Sequence, residues 1–162
     1  LMAAVLACMM FTACDNKTST DTSEEPTEIA SEENASTAMP IYGNQIQDGT
    51  YTSEVSSSSS MFRIIDAQLT VADGEMSAVL TLSGDGYLKL YMGTGEEALA
   101  DTDDKCIYYV ENDEGKYTYE VPVAALNQDT NVAAWSIRKE MWYDRVLVFQ
   151  SSLLPEDAIT VE

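Results

Sequence analysis

The chain has 162 residues, with 28 Asp and Glu against 8 Lys and Arg, a formal net charge of -20 and no histidine. That length fits one domain plus tails. The charge excludes nucleic acid as an expected partner, because phosphates are neutralised by cations, and it opposes docking on anionic lipid head groups, while hydrophobic residues, 45 % of the chain, supply a core.

The first stretch, "LMAAVLACMMFTAC", runs apolar to Ala13 and turns polar at "DNKTSTDTSEEPTE". It is too short to cross a hydrocarbon core of about 30 Å as a helix, and it suits the apolar region of a secretory signal. A basic region before it is missing and the chain starts at Leu1, so residues 1–13 are expected to be a signal peptide truncated at its start. "FTAC" sets small residues before Cys14, with Asp15 and Asn16 after it. This resembles the bacterial lipobox, with Phe11 where that pattern prefers Leu. The resemblance implies cleavage before Cys14, lipidation of Cys14, and an extracytoplasmic protein anchored to the cell membrane, at the bacterial cell surface. "VLAC" at Cys8 is a rival, but apolar Met9, Met10 and Phe11 follow it, where a mature lipoprotein should enter water directly. Residues 15–40 are rich in Ser, Thr and Glu and cannot bury enough apolar surface to offset their ordering entropy. They are expected to form a disordered acidic tether.

From Ile41 the pattern is β, and the folded domain is expected over residues 41–154 with a tail over 155–162. "GTYTSEV" alternates after an Asp48-Gly49 turn. "MFRIIDAQLTV" places Ile65, Ala67, Leu69 and Val71 on one face, the period of a half-buried strand. "ADGE" is a hairpin turn, since Asp-Gly supplies positive φ, and "MSAVLTLS" returns with Met76, Ala78, Leu80 and Leu82 on one face. "GYLKLYM" is a short strand. "TGEEALAD" carries Thr94 and Glu97 at capping-box spacing, which predicts a short helix. Gly115 turns between two aromatic-rich runs, and "NVAAWSIR" and "WYDRVLVF" form a last hairpin around Lys139 and Glu140. Short strands between turns predict an all-β antiparallel sandwich or barrel with one short helix.

Residue chemistry argues against an enzyme. Without His no Ser-His or Cys-His pair forms, and Cys106, the one cysteine of the expected domain, leaves zinc only oxygen ligands. No two acids are marked as a catalytic carboxylate pair. Asp101, Asp103 and Asp104 in "DTDDK" lack EF-hand spacing and are expected in a solvated loop. Cys106 begins an apolar run, "CIYYV", and is expected to be buried and unpaired.

Nine aromatics, Tyr87, Tyr91, Tyr108, Tyr109, Tyr117, Tyr119, Trp135, Trp142 and Tyr143, fall in expected strands. Such residues fill cores, and they also line flat pockets and recognition patches. In "MWYDRVLVF", Tyr143, Arg145, Leu147 and Phe149 share one face, and Trp142, Asp144, Val146 and Val148 the other. Alternation leaves open which face is inward. If the Tyr143 face lines a pocket, Arg145 would act on the phenol by charge proximity, tyrosinate would ligate haem iron, and the guanidinium would take a carboxylate bidentately.

"DGTYTSEV", "AQLTVADGEMSAVLTLSG", "YTYEVPVAAL" and "MWYDRVLVF" together resemble, in order, a NEAT (near-iron-transporter) domain, an immunoglobulin-like sandwich of Gram-positive surfaces. The resemblance implies an immunoglobulin-like fold and haem, or another flat hydrophobic ligand, against Tyr143 as iron ligand, with Arg145 and Met61 or Phe62 nearby. The family's Tyr-x-x-x-Tyr strand has Tyr143 at its first position and Leu147 at its second, which removes a supporting hydrogen bond. "SSSSSMF" stands where the family carries a Ser-bearing short helix, without the Tyr that follows it there. The alternative is a surface module that contacts protein or glycan through Tyr and Trp.

Overall fold

A computed structural model describes residues 38–160. The expected signal peptide, Cys14 and the expected tether up to residue 37 lie outside the described residues.

The described residues fold as an antiparallel β-sandwich with one short α-helix. The first sheet runs β1 (Gly49–Thr52), β3 (Ile64–Ala72), β4 (Glu75–Leu82), β8 (Tyr117–Val123) and β7 (Val110–Glu111) in spatial order. The second runs β2 (Glu54–Ser57), β10 (Met141–Gln150), β9 (Asp129–Ser136), β5 (Tyr87–Tyr91) and β6 (Ile107–Tyr108). The helix α1 (Gly95–Ala100) follows β5.

The period of two explains what lies between the sheets. Met76, Ala78, Leu80 and Leu82 of β4 are all buried, as their alternation requires. They meet Ala67, Leu69 and Val71 from β3, Tyr119, Val121 and Val123 from β8, and Leu90, Val132, Ala134, Leu147 and Phe149 from the second sheet. The turn between β3 and β4 has φ of 54° at Asp73 and 80° at Gly74, the left-handed pair a two-residue hairpin needs. The carbonyl of Gly74 also lies where a Cβ on Gly43 would stand, 2.2 Å away, so the chain entering the domain packs backbone to backbone against this turn.

"GTYTSEV" reads as one alternating strand, but the structure divides it between the sheets. β1 pairs with β3, and β2 pairs with β10. The break is Ser53, which is buried. Its N–H donates to the Ala67 carbonyl of the first sheet at 3.0 Å, and its hydroxyl donates to the Gln150 carbonyl of the second at 3.1 Å. A small residue with one extra donor lets the strand change sheets without an unpaired buried polar group.

Three expectations are corrected. Ile65 is 49 % exposed, because the pairing of β3 with β4 slips between Ile64 and Asp66; Ile64 takes the inward place and Ile65 turns out. Residues 155–160 are not a free tail. Ala158 is buried, its carbonyl accepts from Gln47 N–H at 2.8 Å, and Ile159 bridges Ile46. Cys106 is only half-buried, since it closes the 3-10 turn Asp103–Lys105 and β6 starts after it; that burial still pushes its thiol pKa up.

The slip at Ile65 makes a direct prediction. Ile65→Ser should leave the unfolding free energy within about 0.5 kcal/mol of the parent, while Leu69→Ala should lower it by about 2–5 kcal/mol, both by urea denaturation. A large loss from Ile65→Ser would put Ile65 back on the core face.

Candidate ligand-binding site

Position on β10 decides what the last strand offers. Leu147 and Phe149 are fully buried in the core. Arg145 and Tyr143 lie on the same face, two and four residues before Leu147. They face Ala134 and Val132 of β9 in the ladder, both fully buried. Tyr143 and Arg145 therefore point to the inner side, at the open end of the sandwich.

There they line a cavity of about 350 Å³. Met61, Leu82, Tyr87 and Tyr143 form its apolar walls, and Gly84, Gly86 and Ser136 also line it. A Cβ added to Gly84 or Gly86 would meet no atom within 4 Å, so the β4–β5 loop leaves the space open. Arg63, Arg138, Lys139 and Arg145 complete the lining, and no carboxylate contributes to it. A volume of this size falls within the range of about 300–1,000 Å³ typical of small-molecule sites.

Arg145 is held by its own neighbours. One terminal nitrogen donates to the Asp144 carbonyl at 2.8 Å, and the other to the Tyr87 hydroxyl at 3.3 Å. Its Nε is buried and has no hydrogen-bond partner. The guanidinium carbon lies 5.1 Å from the centroid of the Tyr143 ring, a cation–π contact. Arg145 thus engages the face of the phenol ring, and no hydrogen bond joins it to the Tyr143 hydroxyl.

The floor of the cavity is tied to the core through Tyr87. Its backbone carbonyl accepts from the Tyr119 hydroxyl at 2.6 Å, which links the two sheets, and its hydroxyl donates to the Met61 carbonyl at 3.4 Å. Burial pushes the Tyr119 phenol up, so it stays a donor at any ordinary pH. Phe62 is fully buried and meets Tyr87 edge-on at 5.2 Å, so it supports the wall and does not line the cavity. The Ser run leading into it forms a turn, with Phe62 N–H donating to the Ser59 carbonyl at 3.1 Å.

Of the residues singled out in the sequence, Met61, Tyr143 and Arg145 meet at one cavity, and Phe62 lies behind it. Arg63 and Arg138 were missed, while Tyr87 was read only as one strand aromatic among nine and Lys139 only as a turn residue. One signal pointed to them: basic residues are scarce in this chain, and two of them are adjacent at the tip of the β9–β10 hairpin.

The other aromatics are occupied elsewhere. Tyr109 and Tyr117 stack with centroids 3.6 Å apart, and their contact pushes the Tyr117 phenol up to about 12. Trp135 and Trp142 pair across β9 and β10 on the outer face. Lys89 lies 5.5–5.7 Å from the ring centroids of Tyr108, Trp135 and Trp142 and forms an ion pair with Asp103. The acidic loop is therefore not merely solvated: Asp101 accepts from the Tyr91 hydroxyl at 2.8 Å, and Asp103 from the Tyr108 hydroxyl at 2.5 Å. The helix above them is capped as the sequence implies. Glu97 N–H donates to the Thr94 hydroxyl at 3.3 Å, and Thr94 N–H donates to the Glu97 carboxylate at 2.7 Å.

These contacts hold three carboxyls below their ordinary range. Thr94 lowers Glu97, the Thr102 N–H and the Tyr91 hydroxyl lower Asp101, and Lys89 and Tyr108 lower Asp103. A depressed folded-state pKa contributes stability that is present above the unfolded values, 4.5 for Glu97 and 3.8 for the aspartates, and is lost as pH falls through the lower folded values. Lys89 is raised above 10.5 by Asp103, so its share is present at neutral pH and lost only in strong alkali. The expected result is a change in Trp135 and Trp142 emission as pH drops below about 4, reduced in Asp103→Asn. Emission independent of pH over that range would show that the Asp103 contacts do not hold this face.

No protein-family model matches the chain, and no curated protein matches it.

Proposed function

We propose that this is an extracytoplasmic lipoprotein, anchored through Cys14, whose β-sandwich binds a flat hydrophobic ligand at the Tyr143 cavity, and that binding is its task, not catalysis. Haem, the ligand implied by the NEAT resemblance, is the leading candidate. One observation carries the reading: Met61, far away in sequence, lines one cavity with Tyr143 and Arg145. The residues fit such a ligand. Met61, Leu82 and Tyr87 would contact its apolar faces, Tyr143 would offer its phenol oxygen to the iron, and the Arg145 guanidinium would meet a carboxylate. Bound haem would supply a Lewis-acidic iron for that oxygen.

A second reading, a surface module that contacts protein or glycan, draws on the half-exposed Tyr108, Trp135 and Trp142 of the outer face. Lys89 lies against all three rings, so a partner would have to stack outside it.

Haem titration of residues 38–162 should give a saturable Soret band that Tyr143→Phe loses or shifts. No band, or an identical band in the variant, would remove Tyr143 as iron ligand. Cys14→Ser in the full chain should abolish fatty-acid labelling and release the protein from the membrane fraction; retention with label would refute anchoring at Cys14.

A further inference from the structure

The cavity concentrates the chain's scarce positive charge. Four of its 8 basic residues, Arg63, Arg138, Lys139 and Arg145, line this one space, in a protein with 28 acids. They arrive from separate segments. Arg63 precedes β3 of the first sheet, Arg138 and Lys139 form the tip of the β9–β10 hairpin, and Arg145 lies on β10. Two backbone bonds hold these segments around the opening: Ser83 N–H donates to the Arg63 carbonyl at 2.9 Å, and Ile137 N–H to the Gly86 carbonyl at 2.9 Å.

None of the four forms an ion pair with another described residue. Among the described residues the one ion pair is Lys89–Asp103, on the outer face. Asp85 stands between Gly84 and Gly86, and Glu140 follows Lys139, yet neither lines the cavity. At about 0.1 M salt the screening length is about 10 Å, so acids beyond that distance are largely screened; Asp85 and Glu140, next to lining residues in sequence, offset part of the potential, and the four cations outnumber them at the opening.

We propose that the cavity selects its ligand by negative charge: it takes an amphipathic molecule whose apolar ring system lies against Met61, Leu82, Tyr87 and Tyr143 and whose carboxylate or sulfonate groups are held by Arg63, Arg138 and Lys139, with Arg145 deeper inside. The anion, and not a metal, is the chief determinant of binding. Arg63, Arg138 and Lys139 are specificity-determining residues that steer an anionic ligand inward and reject its neutral analogue. The proposal rests on the cavity being a ligand site, as argued above, but not on the ligand being haem.

Two dyes of nearly equal shape test it, without any metal. 8-Anilino-1-naphthalenesulfonate carries one sulfonate, and N-phenyl-1-naphthylamine is its neutral counterpart. Fluorescence titration of residues 38–162 should show the sulfonate binding at least about tenfold more tightly than the neutral dye at low salt, with the preference shrinking as salt rises. Arg138→Gln/Lys139→Gln, two exposed hairpin-tip positions that leave the core untouched, should weaken the sulfonate about tenfold and change the neutral dye less than about twofold; Arg63→Gln should act in the same direction. Circular dichroism checks that the variants fold. Equal binding of the two dyes, no sulfonate binding, or a sulfonate affinity unchanged in both variants overturns the proposal. A charge preference without haem binding would sustain the anion site and sink the haem reading. Haem binding with no charge preference would do the reverse.

Discussion

The alternation of β10 is the constraint on which the site depends. A strand places every second side chain on one face, so burying Leu147 and Phe149 commits Arg145 and Tyr143 to that face as well. Further along β10 this face is filled by the core. Toward its start the sandwich opens, and the same alternation delivers a guanidinium and a phenol to an interior that has become a cavity. The terminal nitrogens of Arg145 offset part of the cost of burial there through the Tyr87 hydroxyl and the Asp144 carbonyl. Sliding β10 by one residue against β9 would expose the whole set at once.

Tyr87 connects that strand to the rest of the molecule. It lies on β5, receives the Tyr119 hydroxyl from the other sheet, meets Phe62 edge-on and accepts from Arg145. The cavity wall is thus an extension of the core, and a change in the packing of Phe62 would be felt by a ligand that never touches it. Ser53 has the corresponding role at the far end of β10, where it bonds to both sheets and lets a single run of sequence edge each of them. Rigid walls favour affinity, because a preformed site orders few side chains on binding.

Charge is divided between the two faces of the second sheet. On the outer face Lys89 is packed among aromatic rings and paired with Asp103. At the inner, open end four cations line one space without a carboxylate among them. The acidic surface favours solubility, and against it a local cluster of bases stands out as a place where an anion is preferred. The proposed anchoring and the proposed capture of an amphipathic ligand are compatible, since a tethered domain with this polarity would repel anionic head groups while accepting a small anionic molecule.

Local chemistry was readable in the sequence by itself. The alternation of β4, the Asp73-Gly74 turn, the Thr94–Glu97 cap and the hairpin around Glu140 each depend on residues within one or two turns of chain, and each stands in the structure as read. The all-β antiparallel class followed from those same local signals, which left sandwich and barrel open; the structure is a sandwich. Tyr143 and Arg145 stood out from the alternation of their strand, and the NEAT resemblance added Met61, but alternation could not say whether the Tyr143 face was inward. The tertiary structure decided that, through the burial of Leu147 and Phe149. It also decided that Ile65 turns outward, that Phe62 lies behind the wall, and that the acidic loop binds tyrosines and Lys89. The meeting of Arg63, Arg138, Lys139 and Arg145 belongs to it entirely. No local spacing relates a residue before β3 to a hairpin tip far along the chain; only the packing of two sheets brings such charges to one opening.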